Sequence, residues 1–177
     1  MTPTYEQLNV KLGNPTNEFG GFDQGWKDEN LTYVEVPFLM KTSWNPYKTI
    51  TRLEVHKVVA PMFKDGLRGM VLHRGEGYLI NRGYNYCGGA YHFRKTTGGK
   101  YLSTHSWGIS VDLNPHLAPY REKHKTRTPQ GWLDAWRNNQ PEFINVIWLD
   151  LGFWSFEFDG MHYQWCTGRS NMALGRV

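Results

Sequence analysis

The chain has 177 residues, of which 40% are hydrophobic and 20% charged, and its formal net charge is +4. This length suits one domain with a sizeable core, and the composition excludes a disordered or low-complexity chain. No apolar run reaches the roughly 20 residues that cross a bilayer, so we expect no membrane insertion. The first residues lack the basic and then apolar pattern of a secretory signal, which predicts synthesis in the cytoplasm without a signal peptide.

Charge and cysteine content restrict the partners. The mild positive balance favours an anionic partner such as an acidic cell-wall polymer. The sequence has no block of five Lys or Arg residues and no nucleic-acid-binding motif, so no nucleic-acid partner is expected. The two cysteines, Cys87 and Cys166, are too few for a disulfide framework. A monomer is the default expectation.

The first part of the chain predicts a strand followed by a helix. Residues 1–50 are interrupted by Gly, Pro and Asn and predict loops with short extended pieces, of which residues 32–40 are the best strand candidate. Pro37 favours a sheet edge for that strand. From Thr51 onward apolar residues recur at helical spacing, with Thr51 as the cap and Pro61 as a kink.

The second part predicts further strands and one more helix. Residues 69–86 predict short strands joined by glycine turns. Residues 109–113 alternate like a strand, and residues 132–151 have helical spacing that ends at a glycine. Residues 153–165 predict a strand, an Asp-Gly turn and a second strand. Helices and hairpin-type strands in irregular order indicate a single α+β domain spanning residues 1–177.

Two short stretches place histidine and aspartate among apolar residues. In STHSWGISVDLNP, Asp112 follows His105 by seven residues, and in FDGMHYQW, Asp159 precedes His162 by three. Gly108 would let the chain turn or approach closely. Either ionisable group alone would be costly to bury, whereas a metal neutralises the carboxylate and binds neutral imidazoles. Because a catalytic zinc site typically has three such ligands, we predict that His105, Asp112 and His162 bind Zn²⁺.

Asp159 is the predicted general base. Zinc lowers the pKa of its water towards ~7, and Asp159 would take the proton from that water and deliver it to the leaving amine of an amide substrate. Glu157 is the alternative base, and Cys166 is the alternative ligand because thiolates favour zinc. The remaining histidines are interpreted as structural or surface residues: His56, which is expected on the solvent face of the first predicted helix, His73, His92, His116 and His124.

The motif set resembles the zinc D-alanyl-D-alanine carboxypeptidase family. Its relatives include the vancomycin-resistance D,D-peptidases and the L-alanyl-D-glutamate peptidases of bacteriophage endolysins. The shared signature is Ser-x-His, six residues, Asp, and later an acidic residue, two residues and His. Its elements in this chain are Ser103, His105, Asp112, Asp159 and His162. The resemblance implies the two histidines and Asp112 as zinc ligands and Asp159 as the general base.

The resemblance also implies a substrate-binding arginine. Arg94, eleven residues before the first histidine ligand, lies where relatives contact the substrate carboxylate or carbonyl. A bidentate guanidinium suits that role. Arg82 is the second candidate, and an ordinary surface arginine is the alternative. Ser103 either binds substrate or fixes its loop. The resemblance covers residues 84–114 and 153–165.

The implied fold is α+β of the hedgehog/D,D-peptidase type, with a mainly antiparallel sheet carrying the zinc site and helices packed against it. The implied activity is a zinc metallopeptidase acting on the peptidoglycan stem peptide. A phage-type endolysin that cleaves the L-Ala–D-Glu bond, after release to the periplasm during lysis, is the first expectation. The alternatives are a D-Ala–D-Ala carboxypeptidase or dipeptidase, a D,D-endopeptidase, and a non-enzymatic zinc-containing binding module of the hedgehog type. The presence of Asp159 favours an enzyme.

Overall fold

A computed structural model describes residues 1–96, 101–117, 142–156 and 159–168. The helices are α1 (Leu8–Leu12), α2 (Gln24–Asn30), α3 (Ala60–Arg74), α4 (Glu76–Asn81) and α5 (Glu142–Asp150), with short 3-10 helices at Tyr5–Gln7 and Thr104–Trp107. The strands are β1 (Leu31–Thr42), β2 (Thr49–His56), β3 (Tyr86–Gly89), β4 (Ser110–Leu113), β5 (Trp154–Phe156) and β6 (Asp159–Gln164). Among the described helices, none is both long and apolar enough to cross a membrane.

The described strands form one mixed sheet. Its six strands lie in the order β2-β1-β3-β4-β6-β5. β1 and β3 run parallel, whereas the other neighbouring pairs are antiparallel. Helix α3 packs on β1 and against α5, and α5 contacts β5. The α+β class and the mainly antiparallel sheet predicted from the sequence are confirmed for these residues.

An aromatic cluster joins α3 and α5 to the sheet. The Phe63 ring of α3 lies 5.6 Å from Trp148 of α5 and 5.3 Å from Phe153, both with edge-to-face geometry. All three side chains are buried. Gly66 allows this close approach, because a Cβ there would lie 3.0 Å from the Trp148 ring. Burying each large ring contributes about 1.5–3 kcal/mol relative to exposure, so this cluster is a main anchor of the helical layer.

The predicted helix from Thr51 is wrong in its first half. Thr49–His56 is a strand, in which Leu53 and Val55 are buried. Leu53 and Val55 have the i, i+2 spacing of a strand face, and helical spacing begins only with Val55, Val58 and Val59. The helix begins at Ala60, and Pro61 lies in its first turn rather than at a kink. Proline is tolerated there because the first-turn N–H groups have no partner within the helix.

The short strands predicted for residues 69–86 are also wrong. Helix α3 continues to Arg74, and α4 follows directly after Gly75, which has a φ of 79°. Gly69, the first of the glycines that suggested turns, instead lets α3 approach α5, since a Cβ there would lie 3.3 Å from Ile147. Only the end of the region enters a strand, at Tyr86 in β3.

The strand predicted at residues 32–40 is confirmed as β1, but its predicted place at a sheet edge is wrong. β1 lies between β2 and β3. Pro37 is accommodated because the pairing with β2 is irregular between Glu35 and Met40, where no ladder hydrogen bond has to be donated. The loops predicted for the first fifty residues also contain α1 and α2.

Most of the other predicted elements near the C-terminus agree with the structure. β4 confirms the strand at residues 109–113, and α5 confirms the described part of the helix at residues 132–151. The helix stops before Gly152, whose φ is 87°. β5 and β6 pair in antiparallel fashion as predicted, but the predicted Asp-Gly turn is wrong, because Asp159 and Gly160 are the first two residues of β6. Residues 118–141 and 157–158 lie outside the described ranges.

Candidate metal centre

Two of the three predicted metal ligands face each other on neighbouring strands. Asp112 of β4 pairs directly with His162 of β6, and the preceding pair along the ladder is Val111 with Tyr163. Successive side chains of a strand point to opposite faces. The Tyr163 ring lies 5.7 Å from Trp148 of α5. Asp112 and His162 therefore project from the face that is turned away from α5.

His105 reaches this pair from the 3-10 helix that precedes β4. Its Nε2 lies 3.2 Å from both Asp112 Oδ1 and His162 Nδ1. The latter two atoms are 2.8 Å apart. All three side chains are buried. Two imidazole nitrogens and one carboxylate oxygen thus form a group that could hold a metal ion.

The outward nitrogens of both imidazoles have partners of their own. His105 Nδ1 lies 2.5 Å from the carbonyl oxygen of Ala90. A carbonyl only accepts, so Nδ1 carries the proton and Nε2 presents a lone pair to the cluster. On the other ring, His162 Nε2 lies 3.2 Å from Gln164 Oε1. Such contacts to the outer ring nitrogen are typical of metal-binding histidines.

The electrostatics of the site favour an ionised carboxylate. Burial alone would raise the pKa of Asp112, but when both rings carry protons on their inner nitrogens as well, the charges and hydrogen bonds of His105 and His162 outweigh burial and hold this pKa well below its usual range. A carboxylate rather than a carboxylic acid therefore faces the two imidazoles. This is the form that binds a metal ion.

The turn that carries His105 is fixed by local geometry. The Ser103 hydroxyl caps the 3-10 helix by accepting from the His105 N–H at 3.4 Å. Gly108 ends it with a φ of 67°. A Cβ on Gly108 would lie 2.9 Å from the backbone nitrogen of His56, and the Gly108 carbonyl accepts from that N–H. Glycine therefore lets the turn lie directly against β2, as its predicted role requires.

The N-terminal segment supports the same turn from outside. The Tyr5 hydroxyl donates to the Leu102 carbonyl at 2.7 Å, and the Tyr5 ring packs edge-on against Trp107. Trp107 Nε1 donates to the Gly13 carbonyl at 3.0 Å. Tyr5 N–H also donates to the Thr167 carbonyl just after β6. The first residues of the chain thus hold together the two segments that carry His105 and His162.

Asp159 lies on the same face as the cluster. It is the half-buried first residue of β6 and pairs with Phe156 of β5. The Phe156 ring stacks on His162 at a centroid distance of 6.0 Å. Directly paired residues of an antiparallel ladder project to the same face. Asp159 and His162 share that face although they are three residues apart, because the register shifts between Ser155 and Phe156.

The backbone of Arg94 is attached to the His105 turn. Ser106 Oγ accepts from the Arg94 N–H at 3.0 Å and donates to the Arg94 carbonyl at 2.9 Å. The Ser103 N–H donates to the same carbonyl. Within the described ranges the guanidinium forms no ion pair, and its Nη1 donates to the Lys95 carbonyl at 3.4 Å. The substrate-binding role of Arg94 stays a prediction, as does that of buried Ser103.

The alternative candidates have other surroundings. Cys166 lies outside the ligand group: its buried thiol accepts from Gln164 Nε2 at 3.1 Å, and burial raises its pKa to about 12. This thiol stays protonated and fits a small buried side chain better than a metal ligand. The backbone carbonyl of Arg82 accepts from Asn114 Nδ2. Glu157 lies outside the described residues.

His56 was expected on a solvent face, and this expectation is wrong. It is buried at the end of β2, and its Nε2 lies 3.3 Å from the Leu12 carbonyl. Its Nδ1 accepts from the Val58 N–H at 3.1 Å. Of the remaining histidines, His73 packs on Phe143, His116 packs on Tyr86, His92 is exposed and His124 lies outside the described ranges.

Two buried polar residues beside His162 were not predicted from the sequence. Gln164 and Thr104 both lie within 3.3 Å of His162 Nε2. The strand period could have indicated Gln164, since it follows His162 by two residues and projects from the same face. No comparable signal exists for Thr104, because its contact with His162 joins residues 58 positions apart.

The chain was also compared with protein-family models, curated proteins and solved structures, and none of the three comparisons gives a significant match. The geometry of the metal centre is therefore the main basis for interpreting the function.

Proposed function

We propose that the protein is a zinc-dependent peptidoglycan peptidase. The observation that carries the proposal is the convergence of His105 Nε2, Asp112 Oδ1 and His162 Nδ1 within 3.2 Å of one another. The proposed fold is that of the hedgehog/D,D-peptidase type. Its support is the mainly antiparallel sheet that carries the cluster on one face and helices on the other.

The donor set fits zinc. Two imidazoles and one carboxylate are a ligand combination of catalytic zinc sites, which keep a further position for water or substrate. Calcium and magnesium prefer oxygen ligands throughout, so this set disfavours both. Three acceptor atoms that face one another in a buried space also require a cation or protons between them. A zinc ion would be held by His105, Asp112 and His162.

The proposed mechanism divides the work between the ion and the chain. Zinc, when bound, would supply Lewis acidity towards the scissile carbonyl and lower the pKa of its water towards ~7. Asp159, on the same face, accepts the proton of the attacking water on its carboxylate and donates it to the leaving amine. Arg94 binds a carboxylate of the stem peptide, for which a bidentate guanidinium is well suited. Phe156 covers one side of the His162 ring.

The proposed substrate bond is L-Ala–D-Glu of the stem peptide. The D-Glu carboxylate would give Arg94 an anionic group, and the net charge of +4 favours an acidic wall polymer over a cationic surface. In this proposal the protein is a monomer of the phage-endolysin kind that reaches the wall from the periplasm during lysis. Its support is the Ser-x-His, Asp and Asp-x-x-His motif set.

Mass spectrometry of digested peptidoglycan tests the proposal. Purified Gram-negative peptidoglycan is incubated with zinc-loaded protein, with and without a chelator, and with the Asp159→Ala variant as control. We expect new peptides that begin at D-Glu, only without chelator and only with the unaltered protein. Released D-Ala or split crosslinks would still support the proposed site, but would show that the protein has the specificity of a D,D-peptidase. No cleavage by protein that contains zinc would contradict the peptidase and favour a binding module.

A further inference from the structure

We infer that Gln164 is a positioning residue that selects the tautomer of His162. Its amide oxygen holds the proton of His162 on Nε2, so that Nδ1 presents its lone pair to Asp112 and His105. The inference rests on the proposed metal site and assigns a task to residues outside the ligand set. Those residues form a short hydrogen-bonded chain from β4 to the end of β6.

The first step fixes the orientation of the Gln164 amide. Gln164 Nε2 lies 3.1 Å from the Cys166 carbonyl oxygen and 3.1 Å from the Cys166 sulfur. Only the NH₂ end of an amide donates, and the carbonyl of Cys166 only accepts. The NH₂ end therefore faces Cys166, which directs Oε1 to the opposite side, towards His162.

The second step fixes the hydrogen bonds at Oε1. Ser110 Oγ donates to Thr104 Oγ1 at 2.6 Å, and Thr104 Oγ1 donates in turn to Gln164 Oε1 at 3.2 Å. His162 Nε2 lies 3.2 Å from the same oxygen and 3.3 Å from Thr104 Oγ1, whose proton is already used. Both oxygens accept from His162, so Nε2 must carry a proton. All four side chains are buried, where donors and acceptors have to be matched within the protein.

The third step is the consequence for the ligand atom. A neutral imidazole has one donor and one acceptor nitrogen. With the proton on Nε2, Nδ1 is the acceptor, and it lies 2.8 Å from Asp112 Oδ1. Without Gln164 the proton could move to Nδ1 and bind Asp112, and this tautomer cannot bind a metal through Nδ1. His105 needs no such side chain, since the Ala90 carbonyl fixes its tautomer.

Zinc affinity and the tautomer itself provide the test. Zinc dissociation constants are measured by competition with a chromogenic chelator for the unaltered protein, Gln164→Met, Gln164→Glu and Cys166→Ala. We expect Gln164→Met to weaken zinc binding about 10–100-fold, as loss of such contacts typically does. Gln164→Glu keeps an acceptor and should retain the affinity within about threefold. Cys166→Ala keeps the carbonyl that orients the amide and should bind zinc as the unaltered protein does.

NMR of the unaltered protein without zinc, at a pH where the His162 ring is neutral, needs no variant, because zinc on Nδ1 would itself force the proton onto Nε2. Long-range proton–nitrogen spectra should place the His162 proton on Nε2, and a proton on Nδ1 would overturn the inference even if Gln164→Met failed to fold. Equal affinity of Gln164→Met and unaltered protein would overturn it as well. Absence of zinc binding by the unaltered protein would refute the metal site and the inference together. Tight zinc binding with no peptidoglycan cleavage would refute the proposed activity and leave the inference in place.

Discussion

Asp112 and His162 occupy directly paired positions on neighbouring antiparallel strands, and His162 Nδ1 lies 2.8 Å from Asp112 Oδ1. The sheet ladder thus sets the spacing of these two ligand atoms, while the 3-10 turn before β4 adds His105. A site built on paired strands is held more rigidly than one built on loops. This rigidity makes the effects of single substitutions predictable.

Zinc should stabilise the fold through Asp112. A ligand that binds only the folded state adds about 2.7 kcal/mol at a concentration one hundred times its dissociation constant. We expect the thermal midpoint of the metal-free protein to rise on addition of zinc, and to rise far less in Asp112→Asn, which keeps the shape and removes the charge. Calorimetric scans of both proteins with and without zinc measure this. An equal rise of the thermal midpoint in both proteins would show that zinc binds without the Asp112 carboxylate.

Asp159→Ala should separate catalysis from metal binding. Asp159 lies on the face of the cluster but outside the ligand group, so the variant should keep its zinc. Loss of a general base lowers turnover by about 10²–10⁴-fold. Zinc content and the rate of peptide release are measured on the same sample. Unchanged turnover with zinc present would reject Asp159 as the base and direct attention to Glu157.

Gly108→Ala should destabilise the protein more than a comparable substitution in open space. Gly108 has a φ of 67°, and a Cβ would lie 2.9 Å from the backbone nitrogen of His56. We expect a loss of at least about 3 kcal/mol, from left-handed strain plus a backbone clash. Gly20→Ala is the matched control, since its φ is 75° but nothing lies within 4 Å of a Cβ there. Urea unfolding measures the loss of unfolding free energy in each variant. Similar losses would refute the importance of the close approach.

His56 should make the fold sensitive to acid. Burial lowers the pKa of His56 from its ordinary value of 6.5, because desolvation disfavours the charged ring; this outweighs the hydrogen bond with the Leu12 carbonyl, which raises the pKa, and the nearby charge of Lys57 lowers it further. The unfolded chain therefore binds more protons at this residue, and stability rises with pH. The contribution of His56 is fully present above about pH 6.5 and is lost as the pH falls below it.

Unfolding free energies at pH 7.5 and 5.5 check this for metal-free protein. The His56→Gln variant retains the other histidines, so the difference between the two proteins isolates His56. We expect the unaltered protein to lose more stability on acidification than the variant does. An identical pH dependence would mean that His56 keeps its ordinary pKa when folded.

The sequence predicted which histidines and aspartate lie together better than it predicted the secondary structure. His105, Asp112 and His162 could be grouped because their motif spacing is specific, and β4, β5 and β6 carry clear strand signals. The helix predicted from Thr51 begins too early because Val55 has helical spacing to Val58 and Val59, whereas Leu53 and Val55 have the i, i+2 spacing of a strand. Contacts between residues far apart in the chain explain other features that the sequence did not predict.

His56 is one such case, since its buried ring lies beside the Leu12 carbonyl, 44 positions away in the chain. Thr104 is another, because its contact with His162 joins residues 58 positions apart. The glycines of α3 show a third cause. Gly69 was interpreted as a turn signal, and only the position of Ile147 reveals that it serves helix packing.

The zinc content of the purified protein tests the central claim most directly. Unaltered protein, His105→Ala and His162→Ala are dialysed against a weak chelator, and zinc is quantified by mass spectrometry of the metal. We expect one zinc ion per chain in the unaltered protein and none in either variant. Unaltered protein without zinc, or a variant that retains the full content, would contradict it.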